Sequence, residues 1–106
     1  MIKIHISEMI ENIDLNLRPI RNPAHALREA DGDWTVLVNL DSAAAVALNE
    51  TGMLLWQRVN GTASVKEIIE DAKKCFAETP PEAEEDMLAV LQTLMDTGLI
   101  GFEVKV

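Results

Sequence analysis

An α+β fold, with its strands grouped ahead of its helices, follows from three features of the chain. Alternating apolar and polar residues fill the stretch from His25 to Leu48. From Asn49 onward the apolar residues recur instead at helical spacing, in three blocks. Capping residues and glycines mark where those blocks start and stop. The predicted order is three strands, three helices and a short C-terminal strand. A three-helix bundle beside a three-stranded antiparallel sheet is a winged-helix-like arrangement.

The first 17 residues read two ways. Ile2, Ile4 and Ile6 alternate with Lys3 and His5, as in a strand, whereas Ile6, Ile10, Ile13 and Leu17 would make a helical stripe. Arg18-Pro19 and Asn22-Pro23 then stop any helix, because a residue before proline is pushed out of the α region. Residues 1–17 are therefore assigned to an N-terminal arm and 18–106 to the domain.

A hairpin follows, His25 to Ala30 and Trp34 to Leu40 flanking Asp31-Gly32, a pair suited to the φ > 0 geometry of a tight turn. Trp34, Val36, Val38 and Leu40 share one face of its second strand. Ala43 to Leu48 reads as a short third strand, although its alanines have poor β preference and a helix over Ser42 to Leu48 competes.

Asn49 is the N-cap expected for the first helix, Glu50 to Asn60. Leu48 and Met53 have the spacing of a hydrophobic staple across that cap. Met53, Trp56 and Val59 point inward, and Gly61 closes the helix. Ser64-Val65-Lys66-Glu67 has capping-box form, and Val65, Ile68, Ile69, Ala72, Cys75 and Phe76 continue as a stripe. Thr79-Pro80-Pro81-Glu82 opens the third helix in the same manner, with proline in its first turn. Met87, Leu88, Leu91, Leu94 and Met95 form its stripe and Gly98 ends it. Ile100, Phe102, Val104 and Val106 alternate as a terminal strand.

Composition narrows the function. A chain of 106 residues is one domain, and 48% hydrophobic content supports a packed core. No apolar run approaches the length of a transmembrane helix, Met1 to Ile6 lacks a signal peptide's apolar core, and a single Cys75 cannot form an internal disulfide. Together these lead us to expect a soluble cytoplasmic protein with no membrane partner. The net charge is −9, and no Lys or Arg lies between Lys74 and Lys105, where Glu78, Glu82, Glu84, Glu85, Asp86, Asp96 and Glu103 accumulate. A helix so charged repels phosphates, so a nucleic-acid partner is not expected.

Catalytic patterns are equally scarce. His5, His25 and Cys75 show no ligand spacing, so no metal or other cofactor is expected. Cys75 falls on an apolar stripe, so a buried, inert thiol is expected. No Gly-x-Ser-x-Gly elbow or phosphate-cradling loop occurs. The cluster Glu82, Glu84, Glu85 and Asp86 reads as a solvated helix start, and Trp56 as core. What remains is binding through backbone: a short third strand with an unpaired edge can take an extended peptide as an added strand. The alternative is that the terminal segment covers this edge.

Several stretches resemble one known family. They are Arg21-Asn22-Pro23, Arg28 with Asp31-Gly32, Leu48-Asn49-Glu50-Thr51-Gly52 before Leu55-Trp56, and Val59-Asn60-Gly61. Ser64 to Ile69 and Asp86-Met87 leading to Leu91 and Gly98-Leu99-Ile100 complete the set. In order and spacing, over about residues 18–101, they resemble coenzyme PQQ synthesis protein D, the PqqD-like family.

That resemblance implies a non-catalytic domain that binds the leader segment of a ribosomally made precursor peptide. It presents the leader to a modifying enzyme, a radical S-adenosylmethionine protein in the PQQ pathway. The leader would add to the edge formed by Ala43, Ala44, Ala45, Val46, Ala47 and Leu48, and pack on Met87, Leu91, Leu94 or Met95. The competing expectation is a self-associating structural or regulatory module, a homodimer formed through the N-terminal arm or by strand swapping. A winged-helix DNA binder ranks below both.

Overall fold

The core of the domain forms where a small sheet meets three helices. A computed structural model describes residues 14–29, 32–76, 78 and 80–102. Their strands are β1 (Pro19–Arg21), β2 (His25–Glu29), β3 (Thr35–Asn39), β4 (Ala45–Leu48) and β5 (Ile100–Phe102). The helices are α1 (Glu50–Arg58), α2 (Val65–Lys73) and α3 (Ala83–Asp96). The fold is thus mixed α and β, with a three-stranded antiparallel sheet, three helices and a short C-terminal strand.

The sheet runs β2-β3-β4 and is antiparallel throughout, with Leu27 opposite Leu37 and Leu37 opposite Val46. The competing helical reading of Ser42 to Leu48 fails, because β3 supplies a pairing partner that outweighs alanine's preference. The strand starts two residues later than expected, since Ala43 sits at φ 66° in the turn that closes the β3–β4 hairpin.

The face of β3 that meets the helices carries Leu37 and Asn39, not the group shared by Trp34, Val36, Val38 and Leu40. Leu37 is fully buried and Asn39 is 4% exposed, whereas Trp34 is 50% and Leu40 61% exposed. Val36 and Val38 are half-buried on the outer face, and Trp34 and Leu40 fall outside the strand altogether. Asn39 is tolerated inside because its amide is satisfied: Nδ2 donates to the Thr97 carbonyl at 2.8 Å, and Oδ1 accepts from the Asp41 amide.

An additional pairing joins the two ends of the domain. β1 pairs antiparallel with β5, Ile20 opposite Gly101. Sequence reading missed β1 because its three residues lie between two X-Pro steps and show no periodicity. The terminal strand is described only to Phe102, and 103–106 lie outside the described residues, as does the Ile2 to Ile13 part of the arm. Asp14 to Leu17 form a turn rather than the end of a helix, with the Leu17 amide donating to the Asp14 carbonyl.

All four opening amides of α2 find acceptors, which explains why this helix starts where it does. Val65 donates to the Leu17 carbonyl, Lys66 to that of Leu15, Glu67 to Ser64 Oγ and Ile68 to the Ser64 carbonyl. The Glu67 carboxylate accepts from the Ser64 amide at 2.8 Å, completing the expected capping box. That hydrogen bond, then the Ser64 hydroxyl and to a smaller extent the charge of Arg18, hold the Glu67 pKa below its usual value.

A depressed carboxyl pKa stabilises the fold above the unfolded pKa and loses that contribution as pH falls through the folded one. Glu67→Gln keeps an acceptor but not the charge. The margin of the native chain over this variant should therefore be full near neutral pH and shrink below about pH 5 in urea unfolding at stepped pH.

Helix ends differ from expectation by a few residues. α1 stops at Arg58, with Gly61 (φ 84°) two residues past its Val59 cap. α2 stops at Lys73, so Cys75 leaves the apolar stripe and is exposed, not buried as expected. α3 begins at Ala83 with Glu82 as a cap that makes no side-chain bond, so Pro80 and Pro81 precede the first turn rather than occupy it. Thr79 lies outside the described residues. Trp56 is in the core as expected, 1% exposed, with His25 edge-on at 4.9 Å and the Arg21 guanidinium 5.3 Å from its ring centre.

Candidate peptide-binding edge and cleft

β4 lies at the margin of its sheet, and among the described residues it pairs only with β3. The described part of the terminal strand pairs with β1 instead of covering this edge. Antiparallel pairs alternate between those that exchange hydrogen bonds and those that do not. The Asn39 amide donates to the Ala44 carbonyl, so Ala44, Val46 and Leu48 direct their backbone groups toward β3. Ala45 and Ala47 must then direct theirs outward. Their methyl groups are exposed and leave that backbone accessible.

The junction after β4 is held tightly. The Asn49 side chain accepts from the Gly52 amide at 2.9 Å and caps α1 as expected. A Cβ added at Gly52 would come within 2.9 Å of Leu48 Cδ2 and 3.1 Å of Leu48 Cβ. The absence of a side chain lets α1 cross directly over the end of β4. Gly52→Ala should therefore cost roughly 1–3 kcal/mol through overpacking, against the usual helical advantage of alanine. Denaturant midpoints of the two chains would measure it.

A cleft of about 360 Å³ opens at this junction, starting from Asn49 and Thr51 and extending along α3. Its α3 wall is Ala83, Asp86, Met87 and Val90, continued by the Glu82 cap, and Phe76, Glu78 and Pro80 complete the lining. Those four α3 residues have i, i+3, i+4, i+7 spacing and form one stripe. A larger cleft of about 500 Å³ runs along the Glu50, Met53, Leu54 and Gln57 face of α1, beside Trp34 and the β2–β3 turn.

The structure separates the expected contact residues. Met87 lines the cleft, although only 2% of it is exposed. Leu91 and Leu94 are fully buried in the core and offer no surface to a ligand, and Met95 packs half-buried against that core. Ala83, Asp86 and Val90 line the cleft but were not among the expected residues. The stripe they form was present in the sequence, and Asp86 obscured it by interrupting an apolar pattern. Ala43 and Ala44 belong to the turn before β4. Among the described residues, no group of three His, Cys, Asp or Glu could hold a metal ion. No described helix is long and apolar enough to cross a membrane.

Comparison with known proteins bears on this edge. A model of the family described as coenzyme PQQ synthesis protein D (PqqD) matches residues 35–100, more than half of the chain. The chain belongs to the PqqD family. The PqqD match spans β3, β4 and all three helices, so both the open edge and the cleft lie within it. It leaves out residues 18–34, where the sequence resemblance had been extended.

Two solved structures share the PqqD-like fold. One is TbiB1 in complex with the TbiA(beta) leader peptide: TM-score 0.61, 20% identity, 81% of this chain and 99% of that chain covered. The other is lasso peptide synthetase B1 complexed with the leader peptide: TM-score 0.60, 21% identity, 79% and 98% covered. At such identities the likeness speaks for the fold alone. No curated protein sequence matches the chain.

Proposed function

We propose that this protein is a non-catalytic peptide-recognition partner. It binds the leader segment of a ribosomally made precursor peptide and presents it to a modifying enzyme of the radical S-adenosylmethionine type, in PQQ biosynthesis or a related peptide-modification pathway. The observation that carries this reading is the β4 edge, where among the described residues the outward backbone groups of Ala45 and Ala47 have no strand partner. A largely apolar cleft starts just past the end of the strand, at Asn49. An extended leader would gain affinity from backbone pairing and selectivity from the cleft. Membership of the PqqD family and likeness to two proteins solved with leader peptides support it. The compact three-helix core with strands at its side is the winged-helix-like arrangement in this reading.

Calorimetric titration of the full chain with a precursor peptide and with its leader-free core tests the proposal. Binding that requires the leader is expected; equal binding of the core alone would overturn it.

The same open edge favours one second reading, pairing of β4 with β4 of another copy in a homodimer. Under that reading, mass in solution should fall to that of a monomer when a leader peptide is added.

A further inference from the structure

The cleft beside β4 carries charge of one sign. Glu78, Glu82 and Asp86 line it, and no Lys or Arg does. The described ion pairs, Lys73 with Glu84 and Lys74 with Asp71, involve none of these three. Glu84 and Glu85 share the first turn of α3 with Asp86, and acids there suit the helix dipole. Asp86 differs from them in position, because it stands within the stripe of Ala83, Met87 and Val90 that forms the cleft wall.

The Asp86 amide donates to the Glu82 carbonyl, so the two side chains lie one turn apart. Like charges at that spacing repel and weaken a helix. A cation seated between them relieves that repulsion. The chain's net charge of −9 would draw such a ligand toward the surface before contact.

Resting on the reading of β4 as the leader-binding edge, we propose that the bound segment carries a Lys or Arg next to an apolar residue. The cation meets Asp86 and Glu82, and the apolar side chain enters between Phe76, Met87 and Val90. A cleft of about 360 Å³ has room for one large apolar side chain with the stem of a basic one along its wall.

Panning a phage-displayed library of random peptides, about 12 residues long, on the full chain tests this. The selected sequences would then be titrated, as synthetic peptides, into the native chain and into Glu82→Gln/Asp86→Asn. Enrichment of Lys or Arg beside Leu, Ile, Val or Phe is expected. The double variant should stay folded and bind about fivefold more weakly, with a flatter dependence on salt.

Selected peptides without basic residues, or equal affinity for the double variant, would overturn the charge preference. Should such peptides still shift the Ala45 and Ala47 amides, the edge reading survives that failure. Should no selected peptide shift those amides, the edge reading fails with it.

Discussion

Replacing Ala47 by proline should leave the domain folded and lower its affinity for a leader peptide by at least about tenfold. The expectation rests on the alternation of backbone direction along β4. Ala47 stands opposite Val36 in a pair that exchanges no hydrogen bonds, so its amide faces the open edge. Proline at an outward-facing edge position takes no hydrogen bond from the sheet. It does remove the donor that an added strand would use, and its ring occupies the place of that strand. One lost hydrogen bond contributes about 1 kcal/mol, and exclusion of the neighbouring backbone adds to it.

Val46→Pro supplies the contrast, since its amide faces Leu37 inside the sheet. That variant should be strongly destabilised whether or not peptide is present. Thermal melts and calorimetry on both variants separate the two cases. Equal binding by Ala47→Pro and the native chain would remove the edge from the account.

The second large effect distinguishes core from cleft on α3. Leu91→Ala should cost about 2–5 kcal/mol, because a fully buried leucine leaves a cavity that its neighbours cannot fill. Val90, one residue earlier, is half-buried and lines the cleft. Val90→Ala should cost much less stability, under about 1.5 kcal/mol, while weakening peptide binding. The assignment of contacts on this helix would be reversed if Leu91→Ala lost affinity with its stability intact. Denaturant unfolding followed by titration of both variants reads the two quantities.

These two residues also show how far the sequence could be followed. Leu91 and Leu94 were expected in a binding groove because the family resemblance implies a leader packed on the third helix, and they lie on its apolar stripe. Apolarity alone does not distinguish a residue that meets α1 and α2 from one that meets a ligand. The tertiary arrangement decides, and it gives the strongest positions to the core. The stripe that lines the cleft, Ala83, Asp86, Met87 and Val90, is weaker and contains a carboxylate.

A similar ambiguity affected β3, where an alternating run offers two faces and the larger side chains lie on the outer one. Leu37 is buried because the sheet packs its opposite face on the helices. Local signals fared better. The Asn49 cap, the Ser64–Glu67 capping box and the positive φ of Gly98 rest on neighbouring residues only, and each occurs where the sequence placed it. β1 needed β5, some 80 residues away, to exist at all.

The central claim, that β4 is a binding edge read through its backbone, is tested most directly by amide hydrogen exchange and chemical shifts during a leader titration. In the free chain Ala45 and Ala47 should exchange fast while Val46 and Leu48 are protected by β3. On saturation Ala45 and Ala47 should shift and become protected, with smaller changes at Met87 and Val90. A leader that binds while the Ala45 and Ala47 amides keep their free-state shifts and exchange rates would contradict the account.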